Sequence, residues 1–311
     1  MIVIPPPEGF YPSDPDELFQ LLEELEGESQ AEEDSENWLS ELITPERDLK
    51  GLVVPHAGLV YSGVTATKAY RLAAKAKPEI ILLIGQSHYL RFQRIHVLRN
   101  AKFITPIGDV EVHNESSNQV LNALGSFGLA TEDGFILPRV NSGFHRSKGK
   151  RISEHAISVQ IPFIIRYIPN ALLVVLLLGD LSQEIIPQIS ERLALWLKDR
   201  RVLVITSSDL SHFYPQDEAH RMDQTTIDSI LTGDPNEFHL IILTGRGEAC
   251  GYAAIELLLW VVKNLWDFHI VKGFYSNESP IYRLLHYSDS ACRDYTLINS
   301  VVGYASIGIW C

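Results

Sequence analysis

The chain has 311 residues, of which 46% are apolar and 21% are charged, a balance typical of a globular protein with a full core. Its formal net charge is −13, but residues 1–46 hold 14 acidic residues and no lysine or arginine, which leaves 25 acidic against 26 basic residues in the remainder. Because this remainder has almost no excess positive charge, we expect no nucleic-acid partner.

The sequence also indicates the cellular compartment in which we expect the protein. No apolar run approaches the roughly 20 residues that a membrane-spanning helix needs. The first residues show no basic segment followed by an apolar stretch, so we expect no secretory signal. Three cysteines form neither a disulfide framework nor a paired zinc motif. We therefore expect a cytoplasmic protein without membrane contact.

The first predicted helix begins near Ser13, which can cap it, and Pro15 suits its first turn. Apolar residues recur at helical spacing from Leu18 to Leu25. Residues 26–36 are acidic and nearly free of apolar side chains, which predicts a solvated loop. We interpret residues 26–37 as an acidic insert of a single domain that spans residues 1–311, and we expect it to lie away from the functional site.

From residue 51 onward, apolar runs typical of buried strands alternate with segments of helical periodicity. The predicted strands are residues 51–54, 79–84, 171–178, 201–205, 269–274 and 301–309. The predicted helices are residues 64–76, 117–124, 154–168, 181–196, 217–231, 235–243 and 252–265. A hairpin is predicted between residues 95–98 and 102–112. This order predicts an α/β fold with a largely parallel central sheet flanked by helices.

Ligands of an open parallel sheet bind beyond the carboxyl ends of its strands. His56 follows the strand predicted at residues 51–54, and His88 follows the next one. Asp209 and His212 follow the strand predicted at residues 201–205. Two imidazoles from neighbouring strand ends are natural ligands for iron, copper or zinc, and they need one or two further donors. These strand ends predict a metal or acid–base site.

Cys250 and Asp209 are the candidates for the third donor. Cys250 precedes the helix predicted at residues 252–265, whose dipole favours a thiolate, although a lone cysteine is also commonly a small buried apolar residue. Alternatively, the Asp209 carboxylate orients the imidazole of His212, which then transfers protons. If these residues have no catalytic or metal-binding role, Asp209 caps a turn and His56 is a structural histidine.

His155 lies at the start of the helix predicted at residues 154–168, where Ser153 can act as the cap. We interpret Glu154 as structural and His155 as a residue that supports the site from outside the ligand shell. The sequence has no Gly-rich phosphate loop, no Gly-x-Ser-x-Gly elbow and no His-Glu-x-x-His motif, which argues against nucleotide hydrolysis, serine hydrolysis and zincin chemistry.

Seven ordered motifs resemble those of the Memo family, also called AmmeMemoRadiSam system protein B. They are Gly9-Phe-Tyr-Pro12, Val54-Pro-His-Ala-Gly58 with Tyr61-Ser-Gly63, Leu83-Ile-Gly-Gln-Ser-His88, Thr105-Pro-Ile-Gly-Asp109, Glu154-His155 with Pro162, Ser207-Ser-Asp-Leu-Ser-His212, and Ala249-Cys-Gly251. The resemblance covers nearly the whole chain. It implies the fold of the catalytic subunit of class III extradiol dioxygenases, which hold a non-haem Fe(II) with two histidines and a carboxylate.

Carried over by motif, His56 and His88 would be the histidine ligands, and Cys250 would stand where the dioxygenases place a glutamate. His212 would match their acid–base histidine, with Asp209 beside the metal. A thiolate in place of the carboxylate changes the redox behaviour of the metal and argues against catechol ring cleavage. The resemblance also implies an AMMECR1-like protein and a radical SAM protein as partners.

The leading hypothesis is a metal-dependent, dioxygenase-like redox enzyme with iron, or alternatively copper, at His56, His88 and Cys250. Proton transfer is assigned to Asp209 and His212, with His155 beside them. The second hypothesis is a non-catalytic module that binds a peptide or an anionic ligand in the same cleft. A third is hydrolysis assisted by zinc, which is the less favoured metal. The substrate, a small molecule or a peptide, is not identified by the sequence.

Overall fold

The computed structural model describes residues 1–31, 48–137, 152–272 and 279–311. Its helices are α1 (Pro15–Ala31), α2 (Leu59–Ala76), α3 (Asn114–Leu124), α4 (His155–Ser158), α5 (Ile161–Tyr167), α6 (Ile186–Leu197), α7 (Gln216–Leu231), α8 (Pro235–Leu243) and α9 (Tyr252–Lys272). Its strands are β1 (Ile2–Ile4), β2 (Leu49–Val54), β3 (Ile80–Gln86), β4 (Ile95–Val97), β5 (Ala101–Thr105), β6 (Gly108–Glu111), β7 (Gly128–Ala130), β8 (Ile136–Leu137), β9 (Ile152–Ser153), β10 (Leu172–Leu178), β11 (Val202–Ser207), β12 (His212–Tyr214), β13 (Ile281–Asp289) and β14 (Val301–Trp310). Short 3-10 turns lie at Gly125–Phe127, Ser290–Cys292 and Tyr295–Leu297.

Four parallel strands form the centre of the main sheet, in the order β2, β11, β3 and β10. Antiparallel pairings extend it on both sides, since β14 runs beside β2 and β4 runs beside β10. β12 and β13 pair with β14, and β7 pairs with β4. The α/β fold with a largely parallel central sheet is therefore confirmed, and the carboxyl ends of β2, β11 and β3 lie at one edge.

Helices cover both faces of this sheet, which explains why its central strands are apolar throughout. Alternate residues of β3 contribute to two separate cores: Leu83 packs with α1, α2 and α5, whereas Leu82 packs with α3, α6 and α9. Both leucines are fully buried. No bilayer-crossing helix is found in the described ranges, where each helix is too short or too polar for that role.

The predicted hairpin is only partly correct. β5 and β6 form an antiparallel hairpin around Pro106, as expected, and β1 pairs with β5 in the same small sheet. β4, however, pairs with β10 and β7 of the main sheet rather than with this hairpin. A short apolar strand carries no information about which edge it joins, because pairing partners are chosen by tertiary packing.

The strand predicted at residues 269–274 is wrong for residues 269–272, because α9 continues through Lys272; residues 273 and 274 lie outside the described ranges. A short apolar run fits the periodicity of a strand and of a helix equally well. The long strand β13 was not predicted. Most of its residues are only partly buried, so its sequence lacks a continuous apolar run.

The helix predicted at residues 154–168 is divided into α4 and α5. Pro162 lies in the first turn of α5, where its missing N–H is tolerated. Gln160 lies between the two helices and is fully buried. The interruption matters for the site, because the side-chain amide of Gln160 reaches the ends of β2 and β11, as described below.

The loop predicted at residues 26–36 is wrong for residues 26–31, which continue helix α1; the remainder lies outside the described ranges. The acidic side chains of this part of the helix are paired rather than simply solvated. Glu26 accepts a hydrogen bond from Nε of Arg166 at 3.0 Å, and Glu28 accepts one from Arg293 at 3.2 Å. Local composition does not reveal such partners, because Arg166 and Arg293 are distant in sequence.

The first turn of α9 is held by polar side chains from two strand ends. Ser208 Oγ, just after β11, accepts a hydrogen bond from the backbone N–H of Gly251 at 2.8 Å. Gln86 Oε1, at the end of β3, accepts one from Ala253 at 3.2 Å. These bonds satisfy N–H groups that a helix leaves without intrahelical partners, and they fix the position of Cys250.

Replacing Gly251 with alanine is expected to destabilise the protein by about 1–3 kcal/mol, because the new Cβ would lie 2.4 Å from the carbonyl oxygen of Ser207. The control is Gly27→Ala, where a Cβ meets nothing within 4 Å and helix α1 gains about 0.5–1 kcal/mol. Urea unfolding of both variants measures the two effects. Equal stability of the two variants would show that the contact between α9 and β11 is not tight.

Candidate metal centre

His56, His88 and Cys250 converge at the edge formed by the carboxyl ends of the central strands. One ligand atom from each side chain lies within 4.8 Å of the other two. The closest contact described is between Cys250 Sγ and His56 Nε2, at 3.2 Å. Asp209, the other candidate for the third donor, does not belong to this group of atoms. The structure therefore brings together a possible His/His/Cys metal-binding group.

His56 is buried, and the ring nitrogen that faces away from Cys250 is hydrogen-bonded. Nδ1 lies 2.8 Å from Ser207 Oγ, so that Nε2 is the nitrogen beside Cys250. The amide of Gln160 donates to Ser207 Oγ at 3.0 Å and to the carbonyl of Pro55 at 2.8 Å. Burial lowers the pKa of His56 well below its usual value, and the nearby imidazole of His88 lowers it further. His56 is therefore a neutral imidazole, the form that binds a metal.

His88 is oriented by the carboxylate of Glu154, which is almost fully buried. Its backbone N–H donates to Oε2 at 2.9 Å, and Nδ1 lies 3.0 Å from Oε1. Because an ionised carboxylate only accepts hydrogen bonds, Nδ1 carries the proton and Nε2 is left as the ligand atom. The interpretation of Glu154 as structural is therefore incomplete. Glu154 caps α4 by accepting a hydrogen bond from the N–H of Ala156 at 3.3 Å, and it also supports His88.

The protonation states of His88 and Cys250 are linked. Burial acts to lower the pKa of His88, but hydrogen bonds with Cys250 and Glu154 outweigh it and raise this pKa to about 10. Burial raises the pKa of the Cys250 thiol, and the hydrogen bond with His88 offsets it only in part. The thiolate expected from the helix dipole is therefore disfavoured in the metal-free protein, because desolvation of the sulfur outweighs the dipole.

Asp209 acts on the backbone around the cluster. Its Oδ1 accepts hydrogen bonds from the N–H of His56 at 2.7 Å and of Ala57 at 3.3 Å. Burial raises the pKa of Asp209. The carboxylate beside His212 is instead that of Glu248, whose Oε1 lies 3.2 Å from His212 Nδ1. The arrangement in which Asp209 orients His212 is thus not the one that the structure shows.

His155 borders the two histidine ligands. Its ring centroid lies 4.3 Å from that of His88 and 5.2 Å from that of His56, and its ring stacks on Phe10 at 4.8 Å. The hydroxyl of Tyr89 lies 3.0 Å from its Nδ1. His155 therefore lies beside the cluster with two aromatic neighbours, and with His88 and Glu154 it forms a second group of possible ligand atoms within 4.8 Å of one another.

Sequence reasoning missed five residues that surround the cluster. They are Phe10, Tyr89, Gln160, Ser207 and Glu248. Phe10 and Ser207 stand inside motifs that had been recognised, but nothing in those motifs distinguishes a residue that contacts a histidine from one that packs. Tyr89 directly follows His88, but it contacts His155, 66 positions away. Glu248 stands two residues before Cys250, but it contacts His212, 36 positions away. Gln160 reaches Pro55 across 105 positions.

The family model for the Memo-like protein matches residues 9–308. The chain belongs to this family. A MEMO1 family protein from Nitrosopumilus maritimus is 29% identical over 83% of each chain. Those from Thermoplasma acidophilum and Archaeoglobus fulgidus are 26% and 28% identical, over 96% of this chain and 94% and 95% of theirs. The resemblance to the Memo family is thus confirmed, whereas the relationship to dioxygenases stays a prediction.

A solved structure titled "Crystal structure of uncharacterized protein JW3007 from Escherichia coli K12" aligns with this Memo-like protein at a TM-score of 0.46 and 11% sequence identity. The alignment covers 84% of this chain and 99% of that chain.

Replacing Glu154 with glutamine is expected to lower the pKa of His88 in the metal-free protein from its value of about 10. A raised histidine pKa stabilises the fold most below its ordinary value of 6.5, and this stabilisation is lost as the pH rises through about 10. The variant should therefore lose less stability than the wild type between these two pH values. Titration of the histidine ring protons by NMR, together with unfolding at several pH values, measures both effects.

The matched control is Glu256→Gln, which removes another buried carboxylate from a histidine, His239, whose Nδ1 lies 2.9 Å from it. The titration of His88 should be unchanged in this control. An unchanged titration in Glu154→Gln as well would contradict the pairing of His88 with Glu154.

Proposed function

We propose that this Memo-like protein is a redox enzyme that holds a non-haem iron, or alternatively a copper ion, at His56, His88 and Cys250. The observation that supports this proposal is the convergence of the three ligand atoms within 4.8 Å. Each imidazole is also oriented from behind, His56 by Ser207 and His88 by Glu154. Such outer hydrogen bonds are typical of histidines that bind metals.

The donor set fits a transition metal. Bonds of about 2.0–2.1 Å to nitrogen and 2.3 Å to sulfur place the ligand atoms of a tetrahedral site with one sulfur roughly 3.3–3.6 Å apart, near the 3.2 Å between Cys250 Sγ and His56 Nε2. A thiolate with two imidazoles suits copper, iron or zinc rather than magnesium or calcium. Zinc is less favoured for this function because it has no redox chemistry.

Three protein ligands leave room for a fourth. The side chain of His88 is 23% exposed, so the cluster is open to small molecules on the His88 side. On the other side His56 is buried and Cys250 is partly buried. We infer that a substrate, still unidentified, approaches beside His88.

Metal binding would replace protons in this cluster. His88 as a cation and Cys250 as a thiol must each lose a proton before they bind, so the affinity is expected to increase with pH. A bound iron or copper ion would supply the electron transfer. Around it, Asp209 holds the backbone of His56, and His155 and His212 are the proposed sites of proton transfer.

A specific observation favours the second candidate, a binding module for an anionic ligand or peptide. Because the pKa of His88 is raised to about 10, the metal-free cleft carries a partly exposed cation at neutral pH. Such a cation attracts anions without any metal. The two functions differ in their dependence on metal: anion binding survives removal of the metal, whereas metal binding needs the Cys250 ligand. An AMMECR1-like protein and a radical SAM protein remain proposed partners.

Protein produced with iron or copper is expected to contain about one metal ion per chain, because the two groups of possible ligand atoms in the described residues share His88. His56→Ala and Cys250→Ser should each reduce the bound metal by at least about tenfold. Elemental analysis after gel filtration measures the content. Cys292→Ser, which removes an exposed thiol away from the cluster, is the matched control and should bind as the wild type does.

Two results would refute the proposal. One is a wild-type protein that binds no iron or copper under conditions in which it is folded. The other is unchanged metal content after both His56→Ala and His88→Ala.

A further inference from the structure

We propose that Glu248 is a positioning residue that holds the His212 imidazole with its proton on Nδ1, so that Nε2 is the atom that takes a proton from a ligand at the cluster. The proton-accepting role rests on the proposed function of the His56, His88 and Cys250 site. The pairing of Glu248 with His212 rests on geometry alone. Neither the family match nor the motifs assign a role to Glu248.

The backbone on the N-terminal side of His212 is tightly held. The N–H of Leu210 donates to the carbonyl of Gly303 at 2.9 Å, and the N–H of Gly303 donates to the carbonyl of Ser211 at 3.0 Å. The N–H of Ser211 donates to Asp223 Oδ1 at 2.9 Å. Three hydrogen bonds on two consecutive residues leave this segment little freedom.

The carboxylate of Asp223 is itself fixed. It is fully buried, and the hydroxyl of Tyr287 donates to its Oδ2 at 2.7 Å. A Cβ on Gly303 would lie 1.8 Å from the same oxygen, so a residue without a side chain is required at this position of β14. The backbone before His212 is therefore anchored to the interior of the protein and does not depend on the metal cluster.

On the C-terminal side, Phe213 adopts a φ of 66°, in the left-handed region that bulky residues avoid. The pairing of β12 with β14 is irregular at this point, between His212 and Tyr214. A β-bulge redirects the side chains next to it. The ring of Phe213 is 72% exposed, so burial of this ring does not account for the strain. We infer that the strained backbone of Phe213 sets the direction in which the side chain of the neighbouring His212 points.

Glu248 completes this arrangement by acting on the imidazole. Its Oε1 lies 3.2 Å from His212 Nδ1, and a carboxylate can only accept there, so the proton must be on Nδ1. The backbone N–H of Glu248 donates to Thr226 Oγ1 at 3.1 Å, which ties the backbone of Glu248 to helix α7. Glu248 stands two residues before Cys250. The same short segment thus carries both a metal ligand and the group that orients the proposed base.

The proposed step is a proton transfer and involves no change of oxidation state. The bond between the proton and an acidic oxygen, nitrogen or sulfur of the ligand breaks, its electron pair stays on that atom, and the proton passes to His212 Nε2. The imidazolium that results is stabilised by the negative charge of Glu248. The pKa of His56, which burial lowers, is lowered further by nearby imidazoles that include His212, and this supports a place for His212 near the cluster.

The tautomer of His212 tests the proposal in the metal-free full chain. With histidine labelled by ¹⁵N, long-range ¹H–¹⁵N correlation spectra distinguish the two neutral tautomers at a pH above the titration of the ring. The wild type should show His212 with its proton on Nδ1. Glu248→Gln should show both tautomers, because an amide can donate as well as accept. Glu248→Asp, which keeps the carboxylate, should restore the preference at least in part.

The matched control is Glu218→Gln in α7, which removes another carboxylate of this region and should leave the tautomer of His212 unchanged. Backbone amide spectra of each variant report whether it is folded. A wild-type His212 with its proton on Nε2, or a Glu248→Gln variant identical to the wild type, would overturn the proposal. Since no metal is present, these outcomes are independent of the metal-content test, and the failure of one hypothesis can be told from the failure of the other.

Discussion

The site depends on the buried residue Asp209. Its Oδ1 accepts the N–H of His56 at 2.7 Å, which joins the end of β11 to the end of β2. Its carbonyl accepts the N–H of Cys250 at 3.2 Å, and its own N–H donates to Cys250 Sγ at the same distance. One residue therefore holds two of the three proposed ligands. Buried polar groups need partners, and two of the residues that bond to Asp209 are proposed ligands of the cluster.

The charges of the cluster form a second constraint. His56 is kept neutral by burial and by the positive charge of His88, while His88 is kept cationic by its hydrogen bonds with Cys250 and Glu154. Two adjacent imidazoles thus have opposite protonation preferences in the metal-free state. This difference connects the two candidate functions, because the same cation that attracts an anion must lose its proton before a metal binds.

Much of the fold was predictable because its physical cause is local. The central strands are buried on both faces, so their sequences are continuous apolar runs, and α8 was predicted with its observed bounds, Pro235–Leu243. The errors arose where the cause is not local. β13 is half-buried against β14, residues 26–31 are helical with their acids paired to distant arginines, and residues 269–272 continue α9. The partners of β13 and of the acids in residues 26–31 lie far away in sequence, whereas the apolar run at residues 269–272 fits a strand and a helix equally well.

The same division applies to the site. The sequence by itself determined the membership of the Memo-like family and brought His56 and His88 to one edge, since the carboxyl ends of parallel strands must meet there. Only the tertiary structure decided that Cys250 rather than Asp209 lies with His56 and His88 in a possible metal-binding group, and that Glu248 rather than Asp209 contacts His212. Strand order places residues at an edge, but hydrogen bonds and ligand geometry depend on ångström distances, and those are set by how α9 packs against the ends of β3 and β11.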